Sequence, residues 1–177
     1  MIIDAATVAD TEALHTLVNA AYRGHGGMAG WTSETEFMDG TRVDLPSLRE
    51  QLREGQPAIL LLRTEAGTAP IGCISVGLQA DTTWYISMLA IAPGHQDQGL
   101  GRELLTEAEQ YARNHGATRA RMTVIQLRES LIGWYERRGY ELTGETEAFP
   151  YNDERFGKPR RDDLHFVVLE KTLADPA

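Results

Sequence analysis

Apolar residues along the chain recur at two different spacings, and the changes between them mark out the elements. Residues 1–5 read as a short strand. Thr7 offers an N-cap, with Asp10 three residues on as a partial capping box. Leu14, Leu17, Val18 and Ala21 follow at helical spacing, which predicts a first helix to about Tyr22. Gly24, Gly26, Gly27 and Gly30 break it, and residues 23–45 show no sustained period. That stretch is predicted to be a long loop, and a loop of that length in a compact domain is usually functional. Pro46, with Leu48 and Leu52 four apart, predicts a short second helix. Residues 58–63 are apolar and bounded by Pro57 and Gly67, which reads as a buried strand. Residues 71–78 and 82–91 predict two more strands in an antiparallel meander, stopped by Pro93 and Gly94.

The clearest helix comes next. Leu104, Leu105, Ala108 and Ala112 line one face, Glu103, Glu107 and Glu109 fall elsewhere, and Gly116 ends it. Residues 120–125 alternate as a strand. Leu131, Ile132 and Tyr135 mark a further helical face, closed by Gly139. Residues 140–143 read as a strand, 145–163 as a polar loop, and 164–171 as a closing strand. The pattern contains no repeat and no domain boundary. It predicts a single α/β domain over residues 1–177, with helices on both faces of one twisted sheet.

Composition narrows the function classes. The chain has 177 residues, 42% apolar and 24% charged, which is ordinary for a soluble domain. Its formal charge of -9 repels nucleic-acid phosphates and favours a cationic partner such as an amine. Cys73, the only cysteine, stands in an apolar run and reads as a buried structural thiol in a reducing compartment. The N-terminus lacks a signal-peptide pattern, and the longest aliphatic run, 58–62, is far too short to span a membrane. The expectation is a cytoplasmic protein with neither a membrane nor a nucleic acid as partner. The five histidines lack ligand spacing, so no metal is expected.

One turn carries chemistry. Residues 88–102 run from a strand through a glycine-bearing turn into a helix start. A helix start leaves several N–H groups without partners, and its dipole adds partial positive charge. Gly99 and Gly101 carry no Cβ, so an anion can approach the backbone. Together these features define a phosphate site. A Walker A loop is excluded, because Leu100 and Gly101 stand where Lys and Ser/Thr belong. A dinucleotide fingerprint is excluded too, because the third glycine after Gly99 and Gly101 is missing.

Gln96, Gln98, Gly99 and Gly101 resemble motif A of the GNAT (N-acetyltransferase) superfamily, written (Gln/Arg)-x-x-Gly-x-(Gly/Ala). Residues 131–140, ending in Tyr135 followed by Gly139 and Tyr140, resemble its motif B. The element order is also similar. In one place the pattern differs: Arg128 stands where motif B often begins with Asn.

The resemblance implies a GNAT-like fold, with a mixed, mostly antiparallel sheet splayed between the fourth and fifth strands. It implies acetyl-CoA as co-substrate, without a metal, and acetyl transfer to a primary amine of a small molecule or peptide by direct attack in a ternary complex. Leu89, Ala90 and Ile91 would meet the pantetheine arm, in a form of β-augmentation. Gln96, Asp97, Gln98, Gly99, Leu100, Gly101 and Arg102 would hold the pyrophosphate. Tyr135 would be the general acid, or a hydrogen-bond donor to the leaving sulfur. The general base is open among Glu34, Glu36, Glu145 and Glu147. Trp31, Glu34, Phe149 and Tyr151 would form a partly aromatic, partly acidic acceptor pocket. The charge runs 153–155 and 158–161 read as solvated loop or as the contact of a homodimer. The alternative function is a non-catalytic acyl-CoA-binding sensor.

Overall fold

The structure, a computed structural model, describes residues 1–24 and 33–173. Its elements in order are β1 (Ile2–Ala5), α1 (Thr11–Arg23), β2 (Met38–Asp39), α2 (Leu45–Glu54), β3 (Ala58–Arg63), β4 (Gly72–Ala80), β5 (Thr83–Ile91), α3 (Leu100–Asn114), β6 (Arg119–Ile125), α4 (Glu129–Glu136), β7 (Glu141–Ala148), β8 (Lys158–Pro159) and β9 (His165–Thr172). Seven strands form one sheet in the order β1-β3-β4-β5-β6-β9-β7. All its pairs are antiparallel except β5 with β6. The expected mixed α/β domain is therefore observed.

Alternation along β3 shows why this strand is apolar throughout. Leu60 and Leu62 point to one face, where they join Leu104, Leu105, Ala108 and Ala112 of α3. Ile59 and Leu61 point to the other, where they meet Leu14, Leu17, Val18 and Ala21 of α1 and Leu48 of α2. Both faces are buried, so the polar half of the strand period disappears. Gly72 lets α3 approach: a Cβ there would stand 2.7 Å from Ile91 Cδ1 and 2.9 Å from Leu104 Cδ1. The start of α2 is capped by Asp44, whose carboxylate accepts from the Ser47 N–H at 2.9 Å, with Pro46 in the first turn as expected.

Three sequence expectations are corrected. Glu109, read as lying off the apolar face of α3, is buried. It is 5% exposed, accepts from the Tyr140 hydroxyl at 3.0 Å, and is paired with Lys171 at 2.7 Å. Its partners come from α4's exit and β9, so helix spacing alone did not disclose them. Strand β7 extends to Ala148 rather than stopping at 143. It is an edge strand with every residue exposed, so it carries no apolar alternation to read. The two regions expected as plain loops are joined by the β2–β8 ribbon, Met38 opposite Pro159. Phe37, Met38, Ile125, Phe149 and Leu164 form a small third core beneath it.

A bulge in β5 shapes the centre of the sheet. Cys73 pairs with Ala90, and Ser75 with Ser87, so Ile74 faces both Met88 and Leu89. Met88 has φ +53°, the left-handed region. The extra residue reverses the side-chain parity. Trp84 and Ile86 face α3, Met88 and Ala90 face α1, and Leu89 and Ile91 return to the α3 side.

Candidate active site

Strands β5 and β6 pair only through Thr83–Arg119, Trp84–Ala120 and Tyr85–Arg121. Beyond that point β5 continues to Ile91 and β6 to Ile125 without pairing, which is the expected splay between the fourth and fifth long strands. At its apex the Tyr85 and Thr123 hydroxyls lie 2.6 Å apart across the two strands. The gap holds a cavity of about 280 Å³. Ser87, Met88, Leu89, Met122 and Val124 form its strand walls, and Leu131 and Tyr135 of α4 close one side. Glu34, Met38, Arg42, Arg128, Glu147 and Phe149 reach it from the loops, α4's N-cap and the end of β7.

A second cavity, of about 260 Å³, adjoins the first, and Leu131 lines both. Its walls include Ile91, His95, Gln96, Asp97 and residues 99–102, with Trp134 and Arg138. Gly99 is the N-cap of α3 at φ +78° and ψ 0°, and Asp97 is also left-handed at φ +62°. Alternating handedness turns successive N–H groups toward one side. The N–H groups of Asp97, Gln98, Gly99, Leu100 and Gly101 take no hydrogen bond within the described residues. His95 Nδ1 is buried without a hydrogen-bond partner among them. Four of these residues, Asp97, Gly99, Leu100 and Gly101, line the concave surface with His95, and their N–H groups fit a diphosphate.

The charges near this turn agree with that fit. Arg102 and Arg138 both line the cavity. The Arg138 guanidinium stacks over the Trp134 ring, 3.4 Å from its centroid, and donates to the Trp134 carbonyl at 2.6 Å. Burial, together with Arg137 and Arg102, pulls its pKa below the usual arginine value. A dianionic ligand would relieve that crowding of cations.

The other predicted site residues fall as follows. Leu89 lines the splay cavity and Ile91 the second cavity, while Ala90 faces α1 and lines neither. The Leu89 carbonyl accepts from the Tyr22 hydroxyl at 3.0 Å, and the Ile91 carbonyl from the Gln96 side chain at 3.1 Å. The Arg102 N–H closes onto the Gly99 carbonyl at 3.0 Å, so at this residue the guanidinium, rather than the backbone, addresses the cavity. Gln98 is exposed and does not line it. Tyr135 is 7% exposed, and its hydroxyl makes no hydrogen bond within the described residues. Burial raises its phenol pKa, so it stays protonated well past neutrality.

The acidic candidates separate. Glu34 lines the splay cavity but is held by Arg23 at 2.8 Å and Arg128 at 3.7 Å. Glu36 is exposed and lines neither of the two cavities. Glu145 pairs with Arg121 at 2.6 Å, which holds its carboxyl below the usual range. Glu147 lines the cavity, 3.7 Å from Arg121. Phe149 lines it too, stacked on Phe166 at 5.3 Å. Tyr151 instead accepts from the Leu164 N–H at 2.7 Å, outside the cavity. Trp31 lies outside the described residues. The charge runs of the last loop close on the chain itself, Arg155 on Asp153 at 2.6 Å, Arg161 on Asp163 at 2.6 Å and Arg160 on Asp39 at 2.5 Å. Among the described residues no cluster of histidine, cysteine and carboxylate could hold a metal, and no helix is long and apolar enough to cross a membrane.

Sequence reasoning missed Tyr22, Tyr85, Arg42 and Arg138 as site residues. Tyr22 ends the apolar stripe of α1, and that position was the only signal it gave. Arg42 and Arg138 stand among other charged residues, and their inward course depends on the tertiary fold.

A parallel strand pair that splays apart, with a glycine-bearing turn at a helix start beside it, is the frame of an acyl-CoA-dependent transferase. The chain belongs to the GNAT acetyltransferase family, whose model matches residues 27–140. It is a GNAT-family N-acetyltransferase, and acetyl-CoA is its co-substrate. Among curated proteins no sequence match is found. Solved structures share the fold. A ribosomal-protein-alanine N-acetyltransferase from Brucella melitensis is 23% identical with a TM-score of 0.71, over 98% of this chain and 100% of that one. The acetyltransferase yncA from Salmonella typhimurium, solved with its cofactor acetyl-CoA, is 23% identical with a TM-score of 0.69, over 100% of this chain and 96% of that one. An N-acetyltransferase from Staphylococcus aureus Mu50 is 15% identical with a TM-score of 0.70, over 98% of each chain.

Proposed function

We propose that the protein moves acetyl from acetyl-CoA to a primary amine by direct attack, with both substrates bound together. The observation that carries this reading is the junction of the two cavities. Leu131 lines both, and Tyr135, one helical turn further, lines the splay cavity beside it. A diphosphate held at 97–101 leaves the gap between β5 and β6 for the pantetheine arm. Bound acetyl-CoA supplies an activated thioester.

The residues have distinct tasks. Asp97, Gln98, Gly99, Leu100 and Gly101 offer N–H groups to the diphosphate, with Arg102 and Arg138 adding charge. The β5 backbone around Leu89 and Ile91 aligns the arm. Tyr135 donates its phenolic proton to the departing sulfur, a role that its raised pKa supports. An amine with a pKa of about 10 is mostly protonated at neutral pH and must lose a proton before attack. Glu147, among the four carboxylates considered, combines a place in the cavity with the looser arginine contact, and it accepts that proton directly or through water.

The test is release of free thiol from acetyl-CoA in the presence of a broad amine panel. Thiol formed only when an amine is present, with the acetylated amine found by mass, is expected. Tight acetyl-CoA binding without thiol release from any acceptor would leave a sensor rather than an enzyme.

A further inference from the structure

A third cavity, a groove of about 710 Å³, shares Tyr85, Ser87 and Glu147 with the splay cavity. It shares no lining residue with the second cavity, where the start of α3 stands. The splay cavity thus meets one neighbour through Leu131 and the other through these three residues. By strand alternation Tyr85 and Ser87 point to the face of β5 opposite Trp84 and Ile86. The Tyr85 ring is held there by the Thr123 hydroxyl at 2.6 Å. The Ser87 side chain is too short to wall one space off from the other.

The rest of the groove is Gln56, Pro57, Gly77, Leu78, Gln79 and Trp84. Among the described residues no lysine, arginine or histidine lines it, and Glu147 is its only charged residue. Leu78 is 60% exposed, and Pro57 is exposed too. Gly77 lets the proline ring settle on β4, since a Cβ there would stand 2.5 Å from Pro57 Cβ. A lone exposed leucine is ordinary, but one that lines a concave groove with proline and aromatic rings marks a ligand site. Negative charge gathers at the shared residue Glu147. Arg121 is met by Glu145, Glu170 and Glu147 at 2.6, 2.7 and 3.7 Å, three carboxylates to one guanidinium.

We infer that this groove holds the body of the acceptor, and that the acceptor is a small primary amine on an uncharged, apolar body. Its amine enters the splay cavity past Ser87 and Glu147, and its body lies on Pro57, Leu78 and Tyr85. This rests on the amine-acetylating reading above and narrows it. The splay cavity, at about 280 Å³, must also take the acetyl thioester, which leaves room for the amine and little more. The body therefore needs a second space, and the groove supplies one of a size that suits a small molecule. The single positive charge of such an acceptor is matched by Glu147. A second charge, of either sign, would have to be desolvated against proline, leucine and aromatic rings without an ionic partner.

The experiment uses matched acceptors. Thiol release from acetyl-CoA is measured with straight-chain amines from ethylamine to decylamine. It is also measured with hexylamine, hexamethylenediamine and ε-aminocaproic acid, which share one chain length and differ in the far end. The wild type is compared with Leu78→Ser and with Leu142→Ser, an exposed leucine outside the groove. The rise in melting temperature with acetyl-CoA reports that each variant is folded. In the wild type kcat/KM is expected to climb roughly two- to fourfold per added methylene until the groove is filled. Hexylamine is expected to exceed the diamine and the amino acid by on the order of tenfold. Leu78→Ser is expected to flatten the climb, mainly through KM, and Leu142→Ser to keep it. A flat series, a preference for the diamine or the amino acid, or a full climb in Leu78→Ser would overturn the groove assignment while leaving amine acetylation standing. No thiol from any amine, with the acetyl-CoA shift intact, would overturn both.

Discussion

The hydroxyl of Tyr22 donates to the carbonyl oxygen of Leu89 at 3.0 Å, tying the last turn of α1 to the strand at the point where β5 bulges. The bond is buried, and burial pushes the Tyr22 phenol up to about 12, so it remains a donor across the working pH range. It fixes the bulge from the α1 side, while Cys73 Sγ lies 3.5 Å from the Met88 carbonyl on the same stretch. Both contacts hold the strand in the shape that parts it from β6.

Tyr22→Phe removes the donor and leaves a buried carbonyl without it. A loss of about 1–2 kcal/mol is expected, which lowers the melting temperature by roughly 2–4 °C for each kcal/mol in a domain of this size. The KM for acetyl-CoA is expected to rise, because the β5 backbone proposed to align the arm is loosened. Thermal melts and acetyl-CoA saturation curves check both effects.

Tyr135→Phe keeps the ring contacts with Trp134 and Tyr140, at 5.0 and 5.8 Å, and deletes only the proton donor. Turnover is expected to fall roughly 10²-fold, the lower end for loss of a positioned acid. Affinity for CoA, measured by calorimetry, is expected to stay within about twofold of the wild type on the reading of uniform and transition-state binding. Unchanged turnover would remove this phenol from the mechanism.

Alkaline stability follows from the buried phenols and thiol. Burial raises Tyr22 and Cys73 to about 12, from ordinary values near 10.0 and 9.0. Burial also raises Tyr135 and Tyr140. In each case the folded state keeps a proton that the unfolded chain releases. Their contribution is complete below about pH 9 and declines as pH climbs through the window from 9 to 12. Melting temperatures recorded from pH 7 to 11 are expected to be flat at first and to drop above about pH 9. Cys73→Ala is expected to delay the onset.

Much of the fold was legible because its main segments have strong periods. The α3 stripe of Leu104, Leu105, Ala108 and Ala112 and the doubly buried run of β3 each admit one reading. The strand-to-helix turn was legible because two glycines close in sequence mark it, and Gly99 is the left-handed N-cap of α3. Edge strand β7 was not, since a strand with every residue exposed gives no apolar signal. The bulge at Met88 was hidden because Met88 and Leu89 are both apolar, so the change of parity leaves no trace in the pattern. The acceptor side was the least legible. Arg42, Arg128 and Glu147 are brought to one cavity by the β2–β8 ribbon and the long β7 strand, contacts across more than a hundred residues that no local spacing encodes.

The account rests on anion capture by the backbone at the start of α3. Hydrogen–deuterium exchange at the amides of Asp97, Gln98, Gly99, Leu100 and Gly101, with and without CoA, tests it most directly. These N–H groups lack partners among the described residues and are expected to exchange fast alone and to slow by roughly tenfold or more when CoA is bound. Equal exchange at all five in saturating CoA, or protection confined to another part of the surface, would contradict it.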